Sequence, residues 1–375
     1  MFQRLIEPVL KRTAISFPVT VLTGPRQSGK TTLLKGLFPT YRYINLESPD
    51  VLLRVREDPK GFFCEKNAFW IIDEAQNYPE LFSYIQENVD QHQQPGRFIL
   101  SGSQNFLLAD HVSQSLAGRA AMLDLLPLTY QEYKTVTEKQ SVSLWEYLYN
   151  GSFPRPYHEG LDIKLWYTSY IKTYIERDVR SLVNIKDFSK FQFFLKLCAA
   201  SHGQLLNMNS IGQSCGISQT TVQHWLSILE ASYLVYRLQP HYKNYKKRLV
   251  KTAKLYFYDS AIVCQLLGIE SPEHLKIHTH RGAIFEGFVL SELIKMYFSK
   301  GGNAPLFFWR DATGIEIDGL IEKGERLEGL EIKATATFSQ ELIKPLLRWQ
   351  KISGVSDNDL KLIYAGEETL SFKNI

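Results

Sequence analysis

Gly24, Gly29, Lys30 and Thr31, in the stretch GPRQSGKTT, have the spacing G-x-x-x-x-G-K-T. Glycines at that spacing let a backbone turn tightly and present N–H groups to phosphate oxygens at a helix N-terminus. Pro25, Arg26, Gln27, Ser28 and Thr32 complete the cradle. Lys30 would reach the β- and γ-phosphates of ATP, and Thr31 would hold its Mg2+. Further along, WIIDEAQ ends an apolar run in two adjacent carboxylates, Asp73 and Glu74. Asp73 would hold Mg2+ through water, and Glu74 would polarise the attacking water; a pair that caps the next helix is the alternative. Ser103 or Gln104 would sit beside the γ-phosphate, although turn chemistry explains Ser-Gly-Ser equally. Arg119, after Gly118, is a candidate stabiliser of transition-state charge, in cis or from a neighbouring subunit, unless it is an ordinary surface ion pair.

A second constellation lies in EIDGLIEKGERLEGLEIKA, residues 316–334. A two-residue turn at Gly324-Glu325, glycine first as type II′ requires, makes facing positions sum to 649. Asp318 then opposes Glu331, and Glu316 opposes Lys333. All four share one face, with Ile317, Gly319, Ile321, Leu330 and Ile332 on the other. Opposed carboxylates repel unless a cation or proton intervenes. Bound Mg2+ would resolve the conflict and activate a water against a phosphodiester, with Lys333 orienting the nucleophile. The alternative is a solubility hairpin that alternates Glu and Lys.

These residues require particular elements around them. AISFPVTVLTGPRQSGKTTLLKGLF reads as a buried strand, a loop and an amphipathic helix; AFWIID and GRFILSG read as further buried strands. The expected fold class is α/β, a P-loop NTPase parallel sheet over residues 1–150. In residues 151–265, a short helix ends near Cys215, Gly216 turns, Ser218 caps, and Val222, Trp225, Leu226 and Leu229 line one side of a second helix. Gln219, Thr220, Gln223 and His224 would then face outward, able to meet phosphates or base edges. The stretch HYKNYKKRLVKTAK, 241–254, concentrates six cations, among them Lys243, Lys246, Lys247, Arg248 and Lys251, with tyrosines between. DNA is the expected partner of this segment; a protein interface is the alternative. Residues 266–375 read as a helix, RGAIFEGFVLSELIKMYFSK, followed by strands.

The P-loop, DEAQ, GSQ, SLAGR and PLTYQEY, in this order, resemble a prokaryotic AAA-type ATPase family that pairs an AAA core with a C-terminal domain of unassigned function. The resemblance continues through YNGSFPRP, where Ser152 replaces the family's second glycine, and YIERDVR. It implies an AAA/ASCE-type sheet, a homo-oligomer such as a ring, and an arginine acting across subunits, which favours Arg119. The middle region resembles a winged helix-turn-helix. Asp318 followed by Glu331-x-Lys333 resembles the core of metal-dependent nucleases, a resemblance that adds Glu286 to the Mg2+ ligands; Ile317 stands where that pattern often has proline.

A chain of 375 residues exceeds what one core usually fills, so two or three domains are expected. No apolar run is long enough to span a bilayer, and the charged start MFQRLIEPVLKR lacks a signal sequence, so a cytoplasmic protein is expected. Cys64, Cys198, Cys215 and Cys264 form no metal-binding pair. A net charge of +4 is too small for the whole surface to bind polyanions, so a nucleic-acid site must come from local clustering. Two functions remain open: an ATP-hydrolysing protein that binds DNA and cleaves it with Mg2+, or an ATP-dependent switch whose C-terminal domain only binds DNA or protein.

Overall fold

The computed structural model describes residues 2–63, 65, 68–92, 94–103, 112, 114–136, 142–179, 187–241, 251–311 and 313–371. Val19–Thr23 (β1), Arg42–Asn45 (β2), Trp70–Asp73 (β3), Phe98–Gly102 (β4) and Ala120–Asp124 (β5) form a parallel sheet in the order β2-β3-β4-β1-β5. β1, β3 and β4 are buried throughout, because both faces of the sheet are covered. Val21, Ile72 and Leu100 pack into one cluster, and Leu22, Ile71 and Ile99 into another. β4 lies between β1 and β3, so the loop after β1 and the carboxylates ending β3 meet at one edge of the sheet. That is the carboxyl edge, where open α/β sheets bind ligands. The expected α/β class with a parallel sheet is the one observed.

The middle region contains helices Met208–Cys215 and Gln219–Ala231, separated by Gly216 in the left-handed conformation (φ 63°). The Ser218 hydroxyl accepts the Thr221 N–H at 3.1 Å and so caps the second helix, whose buried side is Val222, Trp225, Leu226 and Leu229. An antiparallel pair follows, Val235–Leu238 (β6) with Lys254–Phe257 (β7).

The C-terminal sheet has the order β11-β10-β9-β8, from Leu306–Arg310 (β8), Glu316–Lys323 (β9), Arg326–Lys333 (β10) and Leu360–Tyr364 (β11). Pairings from Arg326↔Lys323 to Leu330↔Gly319 all sum to 649, the expected register. Gly324 has φ 64° and Glu325 is not in the positive-φ region, as a type II′ turn demands. The expected division of faces is corrected. Between the pairs Phe307↔Leu320 and Trp309↔Ile317, β9 advances by one residue more than β8. This bulge reverses the alternation. Ile317 and Leu320 pack with Trp309 and Trp349, whereas Ile321 and the Cα face of Gly319 meet the helix Arg281–Phe298 near Leu290.

One contact ties the N-terminal segment to the first sheet. Arg4 is buried, pairs with Glu132 at 3.2 Å and donates to the carbonyls of Ser28 (2.8 Å) and Leu126 (2.7 Å). Glu132 in turn accepts the N–H groups of Leu5 and Thr129. Removing one partner leaves the other charge buried. Arg4→Met is therefore expected to lower the stability to urea unfolding by about 3–5 kcal/mol; a loss under 1 kcal/mol would show that solvent reaches Glu132.

Candidate active site

The loop between β1 and the helix Lys30–Leu37 is shaped by three positive-φ residues, Gly24 (147°), Gln27 (63°) and Gly29 (96°). At Gly24 a Cβ would lie 2.1 Å from the Leu125 carbonyl oxygen, so only glycine lets the loop pass β5. Lys30 is buried and donates to the carbonyls of Gly24 (2.8 Å) and Pro25 (2.9 Å). Burial lowers its pKa to about 8, against the opposing pull of Glu74 and Asp73.

Asp73, also buried, accepts the Thr31 hydroxyl at 2.6 Å and the Tyr43 hydroxyl at 2.9 Å on one oxygen. Its other oxygen takes the Ser101 hydroxyl at 2.6 Å and the Glu74 N–H at 3.2 Å. Glu74 lies in the left-handed region (φ 53°) and its carboxylate accepts Gln76 and, at 3.2 Å, the Ser103 hydroxyl. Of the two residues expected near the γ-phosphate, Ser103 is thus placed beside Glu74; Gln104 lies outside the described residues.

A pocket of about 410 Å³ opens here. Gln27, Gly29, Lys30, Thr31, Thr32 and Glu74 form one part of its lining. Phe2, Arg4, Pro154, Arg155, His158 and Glu159 form another. The hydroxyl of Thr31 and the carboxylate of Asp73 are a hard-oxygen donor set suited to Mg2+ alongside phosphate oxygens.

Arg119 is elsewhere. Its carbonyl accepts the N–H of Val19, at the start of β1, so about 13 Å of strand separates it from the loop after Thr23. It makes a bidentate pair with Asp90 at 2.6 and 3.0 Å. A role in cis at this pocket is thereby excluded.

The expected Mg2+ site in the C-terminal sheet is corrected too. Glu286, Asp318, Glu331 and Lys333 do approach one another, but lysines take the place of the cation. Lys254, the last cation of the basic run, is buried and bridges Glu286 (3.0 Å) and Glu316. Lys333 pairs not with Glu316 but with Asp318 (3.1 Å) and Glu331 (2.6 Å), while Asp318 also accepts the Ile332 N–H at 2.8 Å. Tyr256 donates to Glu286, and Arg310 pairs with Glu316 at 2.9 Å. Among the described residues, no three His, Cys, Asp or Glu side chains are arranged to hold a metal ion. Asp318 and Glu331 each give one oxygen to Lys333, and the second oxygen of Glu331 is buried with no hydrogen-bond partner. As placed, Glu286, Asp318 and Glu331 are paired with lysines rather than grouped as ligands of a divalent ion.

In the middle region, Gln219, Thr220, Gln223 and His224 are exposed, as expected, and so is Lys251. Lys243, Lys246, Lys247 and Arg248 lie outside the described residues. Sequence reasoning missed Arg4, Tyr43, Ser101, the 154–159 wall and Tyr233. The Tyr233 hydroxyl reaches back from the end of the helix Gln219–Ala231 to Thr23 (2.7 Å) and Asp124.

Sheet order, phosphate loop and paired carboxylates together define a P-loop ATPase of the AAA type. Residues 16–134 match an AAA domain, residues 141–273 a domain of unknown function (DUF8612), and residues 281–375 another (DUF4143). The chain belongs to the family of the uncharacterized protein Rv2008c of Mycobacterium tuberculosis, to which it is 33% identical over 334 residues, 88% of this chain and 73% of that protein. The uncharacterized protein Mb2031c of Mycobacterium bovis matches with the same figures. Among solved structures, the Walker-type ATPase of Pyrococcus abyssi aligns with a TM-score of 0.47 at 15% identity, covering 71% of this chain and 96% of that one. Among the described residues, no helix is long and apolar enough to cross a membrane.

The ionic cluster generates a test. Burial, and then the charge of Asp318, raise the Glu331 carboxyl to about 8, far above its ordinary 4.5. Between those values the folded chain holds a proton that the unfolded chain has released, so stability falls as pH rises through that window. Urea midpoints measured from pH 5 to 8 are expected to decline in the wild type and to flatten in Glu331→Gln. An unchanged slope in the variant would remove Glu331 as its source.

Proposed function

We propose that this protein binds ATP with Mg2+ in the pocket above the first sheet and hydrolyses it, that it works as a homo-oligomer, and that it binds DNA. The observation that carries the ATPase reading is the convergence of Lys30, Thr31, Asp73 and Glu74 on one pocket. Lys30 exchanges its two loop carbonyls for phosphate oxygens, whose negative charge favours the ammonium against the burial that lowers its pKa. Thr31 and Asp73 hold Mg2+, which when bound neutralises charge on the phosphate oxygens. Glu74, braced by Gln76 and Ser103, orients a water and takes its proton. Arg119, remote from its own pocket, can meet only the nucleotide of another copy, which is why oligomerisation belongs to this reading.

Lys30→Ala is expected to abolish tight ATP binding, while Glu74→Gln should keep binding and lose turnover by a factor of about 100 or more, the usual scale for a general base. Calorimetric titration and phosphate release measure the two. Wild-type turnover in Glu74→Gln would sink the assignment. Arg119→Ala protein should regain turnover when mixed with an excess of Glu74→Gln protein, which keeps its own Arg119. Absence of rescue in demonstrated mixed oligomers would leave Arg119 as the partner of Asp90 alone.

DNA binding is supported by the capped helix Gln219–Ala231, whose exposed side carries polar side chains of the kind that contact phosphates and base edges. Charge reversal at Lys246, Lys247 and Arg248 should weaken DNA binding uniformly across sequences and flatten its salt dependence, whereas Gln223→Ala should alter sequence preference. A salt slope untouched by the reversal would favour a protein partner for this face. No cleavage chemistry is assigned to the C-terminal sheet, whose carboxylates are paired with Lys254 and Lys333.

A further inference from the structure

We infer that Tyr43 is a positioning residue of the nucleotide site: its hydroxyl fills the lone pair of Asp73 that Mg2+ needs, and gives that place up when Mg2+ and nucleotide bind. The inference rests on the ATP reading of the pocket.

Asp73 is full as it stands. A carboxylate offers about four lone-pair sites, two on each oxygen, and the hydroxyls of Thr31, Tyr43 and Ser101 with the N–H of Glu74 take them all. To hold Mg2+, directly or through a water, Asp73 must free one of these sites. One donor therefore has to leave.

Geometry decides which one. Ser101 and the Glu74 N–H are on Oδ1; Ser101 is fully buried on β4, an interior strand, and Glu74 donates from its backbone. Thr31 and Tyr43 share Oδ2, at 2.6 and 2.9 Å. Thr31 lines the pocket, and its hydroxyl oxygen can bond the ion while its proton stays on Asp73. Tyr43 has no such double use, because Mg2+ is ordinarily held by carboxylates, phosphates and water rather than by a phenol. It is also half-buried on β2, which is an edge strand of the sheet and has a neighbour on one side only. Tyr43 is the donor free to go.

The ring has a separate anchor. Lys35, one turn beyond Thr31 on the helix Lys30–Leu37, places its Nζ 3.5 Å from the centre of the Tyr43 ring. That contact does not involve the hydroxyl, so the bond to Asp73 can break without unseating the ring. In the empty site Tyr43 stands in for the metal, since a buried carboxylate with an unfilled lone pair is costly. In the loaded site it yields.

The test uses Tyr43→Phe, which removes the hydroxyl and keeps the ring under Lys35. Thermal melts of the wild type and the variant are compared without ligand and with saturating Mg2+ and adenylyl imidodiphosphate, a non-hydrolysable ATP analogue. Without ligand the variant is expected to melt lower; with both ligands the gap should close, because the wild type has already broken the bond. In analogue-loaded protein, Mn2+ titrated in place of Mg2+ and followed by electron paramagnetic resonance should bind the variant about tenfold more tightly, the scale of one hydrogen bond to a charged group. This second measurement is made on loaded protein, so it decides the matter even where the unliganded variant unfolds. A gap of the same size with and without ligands, or Mn2+ bound no more tightly, makes Tyr43 a permanent brace of Asp73 and overturns the inference. Lys30→Ala separates that failure from a failure of the pocket. If it loses the analogue while Tyr43→Phe behaves as a brace, the ATP reading stands alone; if it binds the analogue like the wild type, the pocket is not an ATP site and both fall.

Discussion

The carboxylate of Asp73 organises the molecule's chemical edge. A buried charge is costly unless its lone pairs are filled, and this one receives four hydrogen bonds, from Thr31, Tyr43, Ser101 and the N–H of Glu74. The donors come from the helix after the phosphate loop, from β2, from β4 and from the turn after β3. Satisfying one anion therefore fixes the spacing of three strands and a helix at the point where they end. The left-handed backbone of Glu74 follows from the same arrangement: its N–H turns back to Asp73 while its side chain is braced by Gln76 and Ser103. Strain of that kind persists where surrounding bonds over-determine it.

Much of this edge was legible in the sequence, because its parts are encoded locally. Glycine spacing around Lys30, an apolar run ending in Asp73-Glu74, the Gly324-Glu325 turn and the Ser218 cap each depend on residues close along the chain. What stayed hidden depends on contacts between distant segments. Nothing near Arg4 announces that it will hold Ser28, and nothing near Tyr43 that it will reach Asp73. The one-residue bulge in β9 is invisible for a related reason. Alternation in a strand reports its own period, and only the pairing with β8 shows where that period slips.

The C-terminal cluster shows how a correct local reading can lead to a wrong chemical one. Opposed carboxylates at Asp318 and Glu331 do demand positive charge, as the hairpin register implied. Part of the demand is met from within the chain, by Lys333 two residues from Glu331 and by Lys254 from β7. Although burial opposes charge on Lys254, the carboxylates of Glu286, Glu316 and Asp318 hold its pKa above the ordinary value. A lysine that sequence counting assigned to a basic surface is thus the counter-ion of a buried acidic group, and it fastens the middle region to the C-terminal sheet.

Two further bonds run from the middle region to the phosphate loop, and their positions matter more than their strengths. Tyr233, itself in a left-handed conformation (φ 55°), bonds Thr23, the residue directly before Gly24. Tyr170 donates to the carbonyl of Arg26 at 3.4 Å, within the loop. The loop is therefore gripped from its start and its middle by side chains of the region that carries the capped helix, and from its end by Pro154. A loop held at three points by another region cannot reshape around a phosphate without moving that region or breaking a bond to it. Tyr233 is the shortest path, since it stands two residues beyond the last residue of the helix Gln219–Ala231 and touches the last residue of β1. One buried hydroxyl thus joins the end of β1 directly to the end of that helix.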